Sequence, residues 1–285
     1  MQQPDVKAFF DENTYTVTYV VAVSDAAAII DPVLDYNAAS GRTGTQSADA
    51  VIDYVKAKGL EVEWILETHV HADHLSAAQY LKTQLGGRIG IGADVATVQN
   101  TFKGIFNMTD LAIDGSQFDQ LFIDGDSFRI GDVEGQVLHT PGHTPACVTY
   151  VIGDAAFVGD TLFMPDFGTA RTDFPGGSAQ TLYRSIQRIL SLPDDTRLFM
   201  CHDYKAPGRD EYRWETTVAE QRDRNVHIGA GVSEDQFVEF REARDAQLGM
   251  PALILPSLQA NIRAGDLPEP EDNGVRYFKV PIDAL

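Results

Sequence analysis

The stretch Thr68-His69-Val70-His71-Ala72-Asp73-His74 places three imidazoles and a carboxylate within six positions of a chain that has only seven histidines. Residues 62–67 (VEWILE), just before it, are apolar and β-rich and read as a buried strand. Residues 75–85 (LSAAQYLKTQL), just after it, read as a helix. The histidines therefore fall on a strand-to-helix loop at the carboxyl end of a strand, where open α/β folds place ligands. Imidazole and carboxylate are also the donors that borderline divalent metals select. On extended backbone His69 and His71 point the same way, while Asp73 and His74 begin the next turn. An isolated His-x-His pair carries little weight. Its extension by Asp73 and His74, with matching partners downstream, makes this a metal-site expectation.

Working outward, 285 residues with 44% hydrophobic content are enough for a large core without disulfide staples. We expect a single domain over 1–285, with 205–285 forming a helical and wrapping C-terminal extension. The net charge of −20 argues against a nucleic-acid partner, which requires a basic stripe. It says little about a small substrate, because a local patch can differ from the global field. Cys147 and Cys201 do not suggest a secreted disulfide scaffold and read as small buried hydrophobes. No signal-like or bilayer-length apolar run is present, so the expectation is a reduced, cytoplasmic protein that does not engage membranes.

Along the chain, residues 14–23 and 26–31 read as two strands joined at Ser24-Asp25, and 34–46 as a loop. Residues 48–58 have helical spacing ended by Gly59. After the metal-type loop and its helix, 88–91 reads as the next parallel strand, a βαβ rhythm. Residues 101–120 show no clear period. Short strands follow at 121–123, 126–130 and 134–139, then at 147–152 and 155–158, the last ending in Gly159-Asp160. Helices are expected over 179–192, 212–224 and 234–248, with a strand over 197–200. The tail from Pro251 has little period and is expected to wrap the surface. His139 reads as a packing or capping residue, and His227 has no evident partner.

Four loops at strand ends thus carry candidate ligands: residues 69–74, His143, Asp160 and His202. In this order they resemble the metallo-β-lactamase fold, which implies an α/β architecture: an αββα sandwich of two mixed β-sheets flanked by helices. THVHADH (68–74), PGHTPACV (141–148), Gly159-Asp160, RTDF (171–174), TLYRS (181–185) and HDY (202–204) together resemble the persulfide dioxygenases. The part from Trp214 through Asn261-Ile262-Arg263 resembles a bacterial branch of that group. The resemblance implies a non-haem Fe(II) oxidoreductase that converts glutathione persulfide and O2 to sulfite and glutathione. One Fe2+ per chain would be held by His69, His143 and Asp160, leaving coordination positions open for sulfur and O2. His71, Asp73, His74 and His202 would then either orient those ligands by hydrogen bonds or hold a second ion. The alternative is a two-Zn2+ thioester hydrolase of the glyoxalase II type. A third reading is a non-catalytic sulfur sensor or scaffold. The resemblance further implies that Arg171 and Asp173 brace the loop near the metal. Tyr183, Tyr204 and Lys205 are candidates for the glutathione carboxylates. A homodimer and a rhodanese-type partner are compatible with this reading.

Overall fold

A computed structural model describes residues 3–283. The chain opens with β1 (Asp5–Asp11), β2 (Thr16–Val23) and β3 (Ala26–Ile30), then β4 (Val33–Asn37) and β5 (Arg42–Gly44). Next come α1 (Gln46–Lys58), β6 (Glu61–Leu66), β7 (Leu75–Ser76), α2 (Ala78–Leu85), β8 (Arg88–Gly92), α3 (Val95–Ile105) and β9 (Gln120–Phe122). The second half runs β10 (Ser127–Ile130), β11 (Val133–His139), β12 (Val148–Ile152), β13 (Ala155–Phe157), α4 (Ala179–Ile189) and β14 (Arg197–Phe199). It closes with β15 (Glu215–Thr217), α5 (Val218–Arg224), α6 (Glu234–Asp245) and α7 (Ile254–Asn261).

Two six-stranded sheets form, in the orders β1-β2-β3-β6-β8-β9 and β10-β11-β12-β13-β14-β15. Both are mixed: β3, β6, β8 and β9 run parallel, as do β13 and β14, while the other pairs are antiparallel. The period-2 alternation of β2 explains the layering. Val17, Tyr19 and Val21 point into the space between the sheets, where they meet Phe128, Tyr150, Phe157 and Phe199. Val20 points outward, onto a layer completed by Val51 and Val55 of α1, Leu81 of α2 and Phe102 of α3. On the far face of the second sheet, Leu182 and Ile186 of α4, Val218 of α5 and Phe237 of α6 close the fourth layer. The result is the expected αββα sandwich. Among the described residues no helix is long and apolar enough to cross a membrane.

Several local expectations are corrected. The N-terminal segment supplies an edge strand, β1, paired along its whole length with β2. Residues 34–46 are not a loop: β4 pairs with β5 and with β7, so Leu75 and Ser76 extend before the helix starts at Ala78. Residues 101–120, which show no clear period in sequence, are entered by α3, whose Val95, Val98 and Phe102 are buried. Residues 212–224 are not one helix. Glu215–Thr217 pairs with β14, and the Thr217 hydroxyl then accepts the Glu220 N–H to start α5. The tail is more than a wrapping: α7 buries Ile254 and Leu258 in the same layer as α1 and α2.

Phe157 is 1% exposed, stacks on Phe199 with ring centroids 5.0 Å apart, and meets the Tyr19 ring at its edge. Phe157→Ala is expected to lower the urea-unfolding free energy by about 3–5 kcal/mol, the usual cost of emptying such a position.

Candidate metal centre

The loop that follows β6 is held by a buried carboxylate. Asp31, at positive φ just past β3, accepts the Thr68 N–H at 2.7 Å on Oδ1 and the Thr68 hydroxyl at 2.9 Å on Oδ2. The same Oδ1 lies 3.0 Å from His71 Nε2, and Glu67 Oε2 approaches that nitrogen to 3.2 Å. Burial alone would depress the His71 ring, but the Asp31 and Glu67 carboxylates outweigh it and hold its pKa well above the ordinary value. From the other side, Asn261 at the end of α7 donates its amide to the carbonyls of His71 and His74, each at 2.8 Å. Its Oδ1 accepts the Ser76 N–H at 2.8 Å.

Three further strand ends bring the remaining candidates. His143 follows Gly142, whose φ of +135° and lack of a side chain are both required, because a Cβ there would fall 2.3 Å from the Leu182 nitrogen. His143 Nδ1 donates to the Arg171 carbonyl at 2.8 Å, which leaves Nε2 as the lone-pair nitrogen facing Asp160 Oδ2 at 3.7 Å. His69 Nε2 faces the same oxygen at 3.8 Å. Donor atoms of His69, His143 and Asp160 lie within 4.8 Å of one another. Donors sharing an ion at about 2.1 Å stand roughly 3.0–3.4 Å apart, so a small adjustment closes this trio on a metal.

A second group, His71, Asp73, His74 and His202, also converges. His202 Nδ1 points to the Tyr15 carbonyl at 3.3 Å, and its Nε2 lies 3.1 Å from Asp73 Oδ2 and 3.3 Å from Asp160 Oδ1. His74 Nδ1 lies 3.3 Å from Asp73 Oδ1, and the Tyr204 hydroxyl donates to Asp73 Oδ2 at 3.2 Å. Burial, then the Asp73 and Asp160 charges, push the Tyr204 phenol well up, so it stays a donor. His71 Nδ1, His74 Nε2, His202 Nε2 and Asp160 Oδ1 are all buried without a hydrogen-bond partner. The short approaches at His202 Nε2 are too misaligned to count as hydrogen bonds. Buried polar atoms left without partners are costly, and these four belong to residues of the two groups. Burial and neighbouring imidazoles keep the ring of His69 well below, and that of His74 down at about 4, so both stay neutral. Neutral imidazoles, carboxylates and orphaned lone pairs fit a divalent cation.

Arg171 and Asp173 form a two-pronged ion pair with both contacts at 2.6 Å, and Arg171 also donates to the Gly249 carbonyl at 2.7 Å. The Arg171 guanidinium lies over Phe174, whose ring meets His143 edge-on with centroids 5.2 Å apart. The other sequence candidates separate. Tyr204 lines the cavity beside the cluster. Tyr183 instead packs against Phe237 and donates to the Val232 carbonyl, while the Lys205 ammonium sits over the Tyr212 ring at 4.1 Å. Neither lines the cavity, so a substrate contact from Tyr183 or Lys205 is withdrawn. Both cysteines are free and buried; burial pushes the Cys147 thiol up to about 12 and Cys201 well up too, which leaves both inert. His139 Nε2 donates to the Pro145 carbonyl at 2.8 Å.

Asp31, Glu67 and Asn261 were absent from the sequence-based site. Asp31 had a usable signal, an acid between an apolar strand and a proline. Asn261 had none, since its role depends on where α7 docks. His227 does have a partner: its Nδ1 accepts the Thr169 N–H at 3.0 Å.

A cavity of about 460 Å³ opens onto Asp73, His143 and Asp160. Its walls are Phe163, Phe167, Phe174, Tyr204, Leu248 and Leu253, with Arg171, Arg241, Arg244 and His227 also reaching it.

A sandwich of two mixed sheets with this His/Asp cluster at its strand ends defines a metal-dependent enzyme class. The model of the Metallo-beta-lactamase superfamily matches residues 12–202, and the chain belongs to that superfamily. It is 59% identical, over 99% of its length, to a beta-lactamase hydrolase-like protein of Agrobacterium fabrum, of which it spans 65%. It is 52% identical to glyoxylase B2 of Dictyostelium discoideum, covering 90% of this chain and 89% of that one. It is 31% identical to the human mitochondrial persulfide dioxygenase ETHE1, covering 91% and 88% of the two chains. Among solved structures, ETHE1 from Myxococcus xanthus superposes with a TM-score of 0.73 at 30% identity, over 92% of this chain and 100% of that one.

Asn261→Leu would leave two carbonyls and an N–H buried without partners. It is expected to cost about 3 kcal/mol or more in chemical unfolding. It should also weaken metal retention about 10–100-fold, measured by competition with a chelator. A pH effect follows from His227, whose ring is pulled from its ordinary 6.5 to about 4 by burial and by Arg241 and Arg244. The fold binds this ring neutral, so its contribution to stability is complete above about pH 6.5 and is lost as pH falls toward 4. His227→Gln is expected to flatten the fall of Tm over that window relative to wild type.

Proposed function

We propose that this protein is an iron-dependent persulfide dioxygenase. The observation that carries the reading is the asymmetry between its two donor groups. His69, His143 and Asp160 form a two-imidazole, one-carboxylate face whose open side meets an apolar cavity, the arrangement that suits non-haem Fe(II). The acid of the second group is already engaged: the Tyr204 hydroxyl donates to Asp73 Oδ2, and His74 Nδ1 lies 3.3 Å from Oδ1. Asp73, His74 and His202 then position the imidazole and carboxylate ligands beside them.

The overall change is glutathione persulfide + O2 + H2O → glutathione + sulfite + 2 H⁺. Four electrons pass from the sulfane sulfur to dioxygen, and the S–S bond breaks with glutathione leaving. Ferrous iron, when bound by His69, His143 and Asp160, would supply adjacent coordination sites for a soft sulfur ligand and for O2. The chain's own contribution is placement and exclusion. The Arg171 carbonyl fixes the His143 tautomer, and the Arg171–Asp173 pair fixes that carbonyl. Phe163, Phe167 and Phe174 keep bulk water from the reacting sulfur. The Tyr204 hydroxyl, held protonated, keeps its proton directed at Asp73 Oδ2 and so holds that carboxylate beside the cluster.

The second reading, a binuclear thioester hydrolase, is favoured by one observation: His74 Nε2 and His202 Nε2 are orphaned on the far side of Asp160. Anaerobically purified protein is expected to hold one iron per chain by elemental analysis. It should consume O2 and yield sulfite with glutathione persulfide, and leave S-lactoylglutathione intact. Two zinc ions per chain with thioester cleavage and no O2 uptake would replace the dioxygenase by the hydrolase.

A further inference from the structure

The cavity beside the cluster is electrostatically divided. Among the described residues its acids are Asp73 and Asp160, both at the metal end. Elsewhere its charged lining is Arg171, Arg241 and Arg244. This runs against a chain with 42 acidic and 22 basic residues.

The three arginines are not equivalent. Arg171 is satisfied by Asp173 and the Gly249 carbonyl. Arg241 is 1% exposed; it pairs with Asp245 at 2.6 Å and donates to the Thr169 carbonyl at 3.1 Å, but its Nε has no partner. Arg244, one turn further along α6, is exposed and makes no ion pair and no side-chain hydrogen bond among the described residues. The positive field in this part of the cavity is felt by His227, whose ring is depressed by burial and then by Arg241 and Arg244. His227 Nδ1 is occupied by the Thr169 N–H, so its remaining N–H is a neutral donor.

We propose that Arg244 is the anion anchor of the substrate cavity, selecting a thiol-derived substrate that carries a carboxylate remote from its reacting sulfur. The proposal rests on the preceding reading only in assuming that sulfur approaches Asp160 and His143. A guanidinium offers a planar fork that matches a carboxylate, and Arg244, unlike Arg171 and Arg241, has no acid partner among the described residues to compensate it. The apolar walls between the two ends suit the backbone and methylenes of a short peptide, and about 460 Å³ lies at the small end of ligand cavities. The guanidinium would bind carboxylate or phosphate alike, and it is the modest volume that favours a short peptide over a nucleotide-bearing carrier thiol.

The test uses metal-loaded protein and S-methylglutathione, which has neither persulfide nor thioester to react, alongside its dimethyl ester. Calorimetric titration of the wild type is expected to show the acid binding about 10–100-fold more tightly than the ester, the usual worth of a charge-assisted hydrogen bond. Arg244→Met is expected to remove that preference by weakening the acid while leaving the ester unchanged. Arg244→Lys is expected to keep part of it. Circular dichroism and Tm serve to confirm that both variants fold, which the exposed position of Arg244 favours. Four results would overturn the anchor: equal binding of acid and ester by wild type, no measurable binding of the acid, an unchanged preference in Arg244→Met, or tighter binding of coenzyme A than of S-methylglutathione. Absence of O2 uptake combined with an intact, Arg244-dependent acid preference would sink the dioxygenase while supporting the anchor.

Discussion

The candidate metal centre depends on one buried carboxylate. Asp31 takes the backbone and the hydroxyl of Thr68 and faces the ring of His71, so it fixes both the path of the loop and the direction of an imidazole. A carboxylate in this position is costly to bury unless its lone pairs are filled, and here they are filled by the elements that must stay in register. Burial would raise its pKa, but the His71 charge and the Thr68 hydrogen bonds hold it below the ordinary carboxylate range, so it stays ionised. The sheet order explains how Asp31 arrives. β3 and β6 are parallel neighbours, and their carboxyl ends deliver Asp31 and Thr68 to the same edge.

The histidine-rich stretch and the strand–loop–helix setting around it were legible in the amino-acid order because each is encoded locally, and the sandwich followed from the resemblance that the four ligand loops carry. Apolar runs mark β6 and β8, and the ligand types are chemically distinctive. What escaped is what depends on distant partners. β1 has a polar, partly exposed face and becomes a strand only by pairing with β2. The three residues of β15 carry too little pattern to compete with the helix that follows. Asn261 is an ordinary polar residue until α7 docks it under the loop. Tyr183 looked like a ligand contact from its motif, yet its hydroxyl is committed to the Val232 carbonyl. The RTDF motif marked the right loop; the atom that contacts His143 is a backbone carbonyl, which side-chain chemistry cannot announce.

The charge of the whole and the charge of the cavity have opposite sign, and the contrast has a physical use. A surface with an excess of carboxylates repels anions at long range, but screening confines that field to about 8–10 Å at ordinary ionic strength. Inside the cavity, fixed guanidiniums with apolar walls act in a lower dielectric and set the local potential. Solubility and substrate sign can therefore be tuned on separate residues.

The grip of Asn261 on the carbonyls of His71 and His74 spans 190 and 187 positions of chain. Contacts so far apart in order form late, because every intervening segment must first find its place. The histidine loop thus has its ligands and its hold on Asp31 early in synthesis, and its second hold only after α7 has emerged and docked. A nascent chain therefore presents these imidazoles before Asn261 closes the loop from its other side.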